Sequence, residues 1–432
     1  MLIRLRETLM KYLLNRKIVL PAAAILILAF IAILFLPKLL PSSPKINIAL
    51  HEELILPKLN GQFKVGRTTV YLKEEGRPAL FNKKIPREWV ATIFYPAIPE
   101  TTSTPGPYAE EPLKTAYTNY TLTEDSAGVL DRISSNAYWN APANHSHGAF
   151  PILLFSPGGG EQPLFYSTLL EEISSHGYVV VAVPEPFDTP VIPLPDGRIL
   201  TSDQMAKLCK QDEACKKAIS GGESAIQEVT DKLKDNRARD MIFTLTQLEQ
   251  VNLENPLLAG VLDLEKVGVF GHSYGGASSV RVAQLDDRID AVAVLDSDIF
   301  LVIPEDSEAL SQAVMYMTAS NIDANVQELE EISKRNTLAA AYLGKSTPYY
   351  FINIAGTTHQ SFQSDAMFLA PYISIGGESV TLNASNTTPA RVTQVISTYV
   401  TVFFDQYLTG VEQALLTGSS DSYPEVTITI KK

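Results

Sequence analysis

Short apolar runs alternate with helix-like segments along most of the chain from residue 150 onward. The runs are short enough to be buried strands, whereas the segments between them repeat apolar positions every three or four residues. Strands that alternate with helices predict an α/β architecture, a mostly parallel sheet with helices on both faces. The predicted strands are 151–156, 178–183, 267–270, 291–295, 313–317 and 349–355, and the predicted helices are 164–175, 224–248, 323–343 and 391–408.

The segment before this alternating region has a different pattern. Residues 63–72 and 89–95 are predicted strands, and the turn-forming run Gly76-Arg77-Pro78 separates them. Residues 97–145 are rich in Thr, Pro, Ser and Asn. This composition indicates a surface insertion and not a second core.

Two polar stretches follow within and after the alternating region. Residues 186–223 are predicted to form a long loop, either a mobile lid or a static loop braced by a disulfide. Cys209 and Cys215 lie in this loop with no histidine nearby, so they favour a disulfide over a zinc site, with two unpaired thiols as the alternative. In the C-terminal tail, 411–432, residues 426–430 are predicted to form an edge strand.

The first residues of the chain form a separate unit. An uninterrupted apolar run, 18–37, follows a basic tail, 1–17, and has the roughly 20 residues that a membrane-spanning helix needs. We expect a single-pass, uncleaved signal anchor, with an inefficiently cleaved signal peptide as the alternative. The basic flank should stay in the cytoplasm, which places a tether, 38–61, and the α/β domain, 62–410, on the extracytoplasmic side.

The charge of the chain limits its partners. The net charge of −13 is spread along 432 residues without a basic block. A nucleic-acid partner would require a basic surface, so the composition argues against one. The oligomeric state does not follow from the sequence.

The most informative motif is Gly271-His272-Ser273-Tyr274-Gly275-Gly276. It follows the apolar run 267–270 and precedes the small-residue segment 277–280, so it is predicted to join a strand to a helix. The pattern G-x-S-x-G in this position is typical of a nucleophile elbow, in which flanking glycines permit a strained turn that exposes the serine hydroxyl. Ser273 is therefore the candidate nucleophile. His272 and Tyr274 are expected to shape the pocket.

A serine nucleophile needs a histidine base that is oriented by a carboxylate. Enzymes with this elbow place the acid and then the histidine after the serine along the chain. Of the six histidines only His359 follows Ser273, and it lies in a loop directly after the strand 349–355. Loops at the carboxyl ends of parallel strands form the sites of such sheets. We therefore predict that His359 is the base.

The acid must lie between the serine and the histidine. Asp296 follows the strand 291–295 and is the predicted acid, and Asp298 is the alternative. Three further aspartates of this interval lie within or beside the helix after the elbow and are expected to be helix-end or surface charges: Asp286, Asp287 and Asp290.

The oxyanion of an acyl-transfer intermediate needs two backbone amides. One comes from the residue after the nucleophile, here Tyr274, and the other from a loop after an earlier strand. The run 155–160 (FSPGGG) fits the second position. A glycine-rich run can also cradle phosphate. However, this one lacks the spacing of nucleotide-binding motifs.

Taken together, these segments resemble the platelet-activating factor acetylhydrolase family, including its bacterial lipase- and esterase-like members, within the α/β-hydrolase superfamily. The resemblance covers about residues 60–410. It rests on six segments in order: 89–97 (WVATIFYPA), 150–160 (FPILLFSPGGG), 175–183 (SHGYVVVAV), 271–276 (GHSYGG), 290–296 (DAVAVLD) and 359–362 (HQSF).

The resemblance implies an α/β-hydrolase fold with Ser273 as nucleophile, Asp296 as acid and His359 as base. It also implies oxyanion donors from the Gly159 and Tyr274 amides, and neither a metal nor another cofactor.

The chain departs from the family pattern at two places. Pro157-Gly158 replaces the common His-Gly, and the run 184–188 (PEPFD) replaces a more usual acidic and basic run near the pocket. The second departure leaves the choice of substrate open.

These features predict a membrane-anchored serine hydrolase that cleaves short-acyl, mainly acetyl, esters of phospholipids or similar lipids. A general, polyester or xenobiotic carboxylesterase is the alternative with the same chemistry. A dienelactone-type hydrolase is disfavoured because those enzymes generally carry a cysteine where this chain has Ser273. A non-catalytic surface protein that keeps the hydrolase scaffold for binding is the alternative of another class.

Overall fold

The computed structural model describes most of the chain after the N-terminal region. The described residues are 54–122, 128–220, 223–297, 309–320, 336–337, 339–346, 348–369 and 388–431. The predicted tail and membrane span, 1–37, most of the tether and the alternative acid Asp298 lie outside them. Among the described helices, none is both long and apolar enough to cross a membrane.

A ten-stranded sheet forms the centre of the described structure, in the order β14-β13-β12-β11-β10-β6-β7-β3-β2-β5. Its strands are β2 Lys64–Ala79, β3 Asn82–Ala97, β5 Tyr138–Trp139, β6 Phe150–Ser156, β7 Val179–Ala182, β10 Leu262–His272, β11 Ala291–Leu295, β12 Ala313–Ser320, β13 Tyr349–Ala355 and β14 Val426–Lys431. Four short strands lie outside it: β1 Leu54–Ile55, β4 Ile133–Ser134, β8 Val191–Pro193 and β9 Ile199–Thr201.

The six strands from β13 to β7 in this order are mutually parallel. The sheet becomes antiparallel only towards its edges, where β14 pairs with β13 and β3 pairs with β7 and β2. The predicted mostly parallel sheet is therefore confirmed, and so is the predicted edge strand at the C-terminus.

Eight α-helices lie entirely within the part of the chain that the structure describes, and they connect and cover these strands. They are α1 Leu113–Thr121, α2 Ser167–Ser175, α3 Ser202–Cys209, α4 Glu213–Ile219, α5 Glu223–Glu254, α6 Tyr274–Leu285, α7 Ser364–Leu369 and α8 Pro389–Phe404. A 3₁₀ turn, Pro163–Tyr166, precedes α2, and a π-helical turn, Asp405–Thr409, follows α8. Of the predicted helix 323–343, only 336–337 and 339–343 lie within the described residues, and they are helical.

The helices divide between the two faces of the sheet because side chains alternate along each strand. Val269 of β10 packs with Leu245 of α5 and Val280 of α6 in one buried cluster. The next residue, Phe270, belongs to the cluster on the other face, with Phe403 of α8. Burial of each such side chain contributes about 1.5–3 kcal/mol, so the two clusters hold the site-bearing strands rigidly in register.

The predicted turn at Gly76-Arg77-Pro78 is wrong. These residues lie inside β2, and the hairpin turn is at Leu80-Phe81, with Phe81 at a φ of 64°. The β2–β3 register shifts between Glu74 and Pro78, so a bulge absorbs the extra residues, and Gly76 takes a φ of 86° there.

The segment 97–145 is more than a surface insertion. Its Tyr117 and Leu130 are buried in a third apolar cluster together with Phe165, which precedes α2. Its strand β5 pairs with β2 and extends the sheet. The expectation that this segment lies only at the surface is therefore wrong, but its cluster is shared with Phe165, Val191 and Ala366 of the rest of the chain and is not a separate second core. Its apolar residues are too scattered along the sequence for a recognisable period.

The segment 186–223 is not a continuous loop. It folds into the hairpin β8–β9 followed by α3 and α4. Cys209 and Cys215 are joined by a disulfide that links these two helices. The helices were missed because each has only seven or eight residues and a strongly polar sequence. Such segments become helical mainly through tertiary contacts.

Candidate active site

Ser273 lies at the tip of a strained turn between β10 and α6. Its φ of 54° and ψ of −123° are unusual for a residue with a side chain. The Ser273 amide donates to the Leu295 carbonyl of the neighbouring strand at 2.9 Å, which holds the turn at the carboxyl edge of the sheet. The predicted elbow therefore has the expected strand–turn–helix context.

The glycines of the elbow are required by close backbone contacts. A Cβ atom on Gly275 would lie 2.1 Å from the Ser156 carbonyl oxygen at the end of β6, and a Cβ on Gly271 would lie 2.4 Å from the Gly275 carbonyl. Both distances are far below van der Waals contact, so only glycine lets α6 begin directly against the strands. The approach also brings the loop after β6 next to the serine.

The three predicted triad residues meet at this edge. His359 Nε2 lies 2.9 Å from Ser273 Oγ, and His359 Nδ1 lies 2.6 Å from Asp296 Oδ2. His359 begins the 3₁₀ turn after β13, and Asp296 follows β11 with a φ of 43°. The fold thus connects His359 by hydrogen bonds to Ser273, which lies 86 positions earlier in the chain, and to Asp296, which lies 63 positions earlier.

Asp296 is completely buried and oriented by its neighbours. Its Oδ1 accepts hydrogen bonds from the Ala319 amide at 2.9 Å and the Thr318 hydroxyl at 3.1 Å. The other oxygen, Oδ2, is left facing His359. An ionised carboxylate can only accept, so the proton of a neutral His359 lies on Nδ1, and Nε2 can accept the serine proton. This arrangement supports general-base chemistry.

The loop after β6 carries the predicted oxyanion glycine, Gly159. The Gly158 amide donates to Glu161 Oε2 at 3.0 Å, and the Gly160 amide donates to Asp188 Oδ1 at 3.2 Å. The backbone is therefore fixed on both sides of Gly159. Tyr274, the other predicted donor, is the first residue of α6.

His272 forms a second hydrogen-bonded group with Tyr166 and Glu161 beside the predicted triad. The sequence did not predict that these three side chains lie together. His272 is fully buried, and its Nδ1 lies 2.7 Å from the Tyr166 hydroxyl and 3.3 Å from Glu161 Oε2. The rings of His272 and His359 are 4.6 Å apart. His272 thus packs against His359 in the interior of the fold, and its expected role in shaping the pocket stays a prediction.

The negative charge of Glu161 is stabilised although the side chain is largely buried. Burial would raise the pKa of Glu161, but the electrostatic interaction with the His272 ring and hydrogen bonds from His272 and Gln363 outweigh it, so the pKa lies below its usual value. Glu161 is therefore ionised at neutral pH and contributes a negative charge within the loop after β6, close to Gly159.

A buried ion cluster lies beside α5, and one of its ion pairs, that of Arg237 with Asp188, contacts the same loop. Arg237 pairs with Asp188, and Arg87 pairs with Glu185 and Asp240. All five side chains are at most 3% exposed. The sequence analysis missed this cluster, although a signal was present. Arg237 lies four residues from both Leu233 and Met241, within the apolar stripe of α5, where a surface arginine would not be expected.

Within the residues that the structure describes, no three His, Cys, Asp or Glu side chains are grouped so that they could hold a metal ion. The two cysteines are disulfide-bonded in the segment 186–223.

The fold and this site define a serine carboxylic-ester hydrolase with an α/β-hydrolase arrangement. The sequence profile of the family described as platelet-activating factor acetylhydrolase, isoform II, matches residues 48–413. The chain belongs to this family, as the resemblance of its motifs indicated.

Two relatives and one solved structure show how far the similarity extends. The chain is 27% identical to a probable 1-alkyl-2-acetylglycerophosphocholine esterase of Arthroderma benhamiae over 86% of this chain and 93% of that protein. It is 25% identical to a platelet-activating factor acetylhydrolase of Cavia porcellus over 42% of this chain and 43% of that protein. A ferulic acid esterase from Streptomyces cinnamoneus superposes with a TM-score of 0.69 at 26% identity, covering 88% of this chain and all of that one.

Proposed function

We propose that this protein hydrolyses short-acyl carboxylic esters of phospholipids or similar lipids, with Ser273, His359 and Asp296 as its catalytic triad. The observation that carries the proposal is the row of hydrogen bonds from Ser273 Oγ through His359 to Asp296. The names of the curated relatives, an acetylglycerophosphocholine esterase and an acetylhydrolase, favour an acetyl ester of a glycerophospholipid as the substrate.

The reaction would proceed through an acyl-enzyme. His359 Nε2 takes the Ser273 proton as Oγ attacks the ester carbonyl carbon, and the Gly159 and Tyr274 amides donate to the resulting oxyanion. The imidazolium then gives its proton to the departing alkoxide, which leaves as the alcohol. Water, deprotonated by His359, attacks the acyl carbon in the second half and releases the carboxylic acid and free Ser273.

A second candidate is a general carboxylesterase that accepts aromatic acyl esters. The structural similarity to a ferulic acid esterase favours it, because that similarity covers 88% of this chain and the whole of the esterase. The run 184–188 also departs from the usual family sequence beside the pocket, and pocket shape sets acyl and alcohol preference.

The two candidates are separated by a matched ester series. We would measure kcat/KM of the full chain in detergent micelles for p-nitrophenyl acetate, butyrate and octanoate, an sn-2 acetyl phospholipid and methyl ferulate. We expect hydrolysis to be highest for acetyl esters, with the phospholipid preferred over p-nitrophenyl acetate. A preference for methyl ferulate would favour the general esterase. Absence of turnover by the folded protein would favour the binding scaffold.

We also propose that residues 18–37 anchor the protein in a membrane with the catalytic domain on the extracytoplasmic side. The uncharged apolar run and the basic residues before it support this topology. We expect the full chain to remain in the membrane pellet after alkaline carbonate extraction, and the domain to be cleaved by protease added outside intact cells. Release into the supernatant would contradict the anchor, and protection from the protease would contradict the topology.

A further inference from the structure

The buried pair of Arg237 and Asp188 contacts the glycine-rich loop at several points. Arg237 Nη1 donates to the Pro157 carbonyl at 2.9 Å and lies 3.4 Å from Ser156 Oγ. Its Nη2 donates to the Gly158 carbonyl at 3.4 Å and forms the ion pair with Asp188. Asp188 in turn accepts from the Gly160 amide. One ion pair therefore binds the backbone on both sides of Gly159.

The contact with Gly158 sets the direction of the Gly159 amide. The Gly158 carbonyl and the Gly159 N–H belong to the same peptide group, which is planar and, in the trans form, points these two groups in opposite directions. Because Arg237 holds the carbonyl on the α5 side, the N–H points away from α5. Glycine has no side chain to resist rotation of this peptide, so an external contact is needed to fix it.

Arg237 also touches the other half of the predicted oxyanion hole. Its guanidinium carbon lies 5.0 Å from the centre of the Tyr274 ring, and the Tyr274 hydroxyl donates to the Thr230 carbonyl of α5 at 2.6 Å. Tyr274 follows the nucleophile and supplies the second predicted amide. The same buried cation thus contacts the peptide group that carries the Gly159 amide, through the Gly158 carbonyl, and the side chain of Tyr274.

We infer that Arg237 and Asp188 are positioning residues that orient the oxyanion-hole amides through the backbone of the glycine loop. They act through Gly159 and Tyr274 and do not touch the substrate. This inference rests on the proposed function, because it assigns a role within the same ester hydrolysis. Two fully desolvated charges at this place are costly unless paired. Their pairing across the loop makes its geometry depend on both side chains.

The inference is tested by Arg237→Lys and Arg237→Gln in the full chain with p-nitrophenyl acetate. Lysine keeps the charge for Asp188 but cannot reach both carbonyls as the forked guanidinium does. Loss of one oxyanion donor costs about 10²–10³-fold in kcat in other hydrolases, so we expect misorientation to lower kcat about 10–100-fold, with KM within about threefold. The inhibition constant of a trifluoromethyl ketone, whose adduct carries the oxyanion, should rise in parallel.

Two control variants separate positioning from general destabilisation. Arg87→Gln removes another buried guanidinium of the same ion cluster, and its contacts are with Asp240, Glu185 and the Pro186 carbonyl. Arg281→Gln breaks the bond to Asp235 that joins α6 to α5. We expect the first to lower the melting temperature and both to keep kcat within about threefold of wild type, since neither side chain holds the glycine loop.

Asp188→Asn decides the question if the arginine variants do not fold. Asparagine keeps the shape and the acceptor for the Gly160 amide but removes the charge that holds Arg237, so kcat should fall about tenfold. Folded Arg237→Lys or Asp188→Asn with kcat within twofold of wild type would overturn the inference. So would a loss that appears only in KM. Absence of turnover by the wild-type protein would instead overturn the proposed function on which the inference rests.

Discussion

Ser273→Ala is expected to lower kcat for ester hydrolysis by at least about 10⁴-fold while the protein stays folded. The serine oxygen is the atom that would form the acyl-enzyme, and removal of a triad serine in other hydrolases costs about 10⁶-fold. The elbow does not need the hydroxyl for its shape, because the Ser273 amide holds the turn through Leu295 and the glycines permit the close approach. Steady-state kinetics and labelling by a fluorophosphonate probe measure the effect.

Ser279→Ala is the matched control for this change. Ser279 is buried in α6, six residues after the nucleophile, and its hydroxyl donates only to the Gly275 carbonyl at 2.9 Å. We expect this variant to keep kcat within about threefold of wild type, since only a local helix contact is lost. Retention of probe labelling by Ser273→Ala would show that another residue is the nucleophile and would refute the assignment.

Asp296→Asn is expected to lower kcat by about 10⁴-fold, or about 5.5 kcal/mol of transition-state stabilisation. The hydrogen bonds from Ala319 and Thr318 require an acceptor at Oδ1, so the new NH₂ group would face His359. Nδ1 must then accept, which moves the imidazole proton to Nε2, the nitrogen beside Ser273. In that tautomer His359 cannot take the serine proton.

Asp287→Asn serves as the comparison for this variant, since Asp287 is an exposed aspartate of the same interval. Its kinetics should match those of wild type. A drop of less than tenfold in Asp296→Asn, with unchanged thermal stability, would show that another group orients His359 and would remove Asp296 from the triad.

The strands of the parallel sheet were predictable because burial on both faces makes each a nearly continuous apolar run. The predicted strands 291–295 and 349–355 match β11 and β13 at both ends. The prediction of a turn was wrong where the local amino-acid composition favoured a turn but the strand remained paired with its neighbour. Gly76-Arg77-Pro78 has the composition of a turn, yet pairing with β3 continues past it through a bulge. The composition of these three residues could not show that β3, the other strand of the hairpin, continues to pair with β2 beyond them.

The candidate triad could be named from the sequence because the elbow motif sets the order in which its partners must follow. Only His359 satisfies that order among the histidines. The choice of Asp296 depended on the strand before it, and the structure places its carboxylate 2.6 Å from His359 Nδ1. Whether these residues catalyse the reaction remains a prediction that the variants above test.

The sequence alone therefore determined the class of fold, the family and the residues expected to react, because apolar periodicity and the glycine–serine elbow are local signals. Only the tertiary structure showed which side chains hold the backbone around the residues that are expected to react. Arg237, Asp188 and Glu161 come from three separate segments and meet at the glycine loop. Their pairing depends on distances across the fold. The identity of a charged residue does not show whether its side chain lies in solvent or is buried beside an opposite charge. Only the packing of the folded chain distinguishes these two environments.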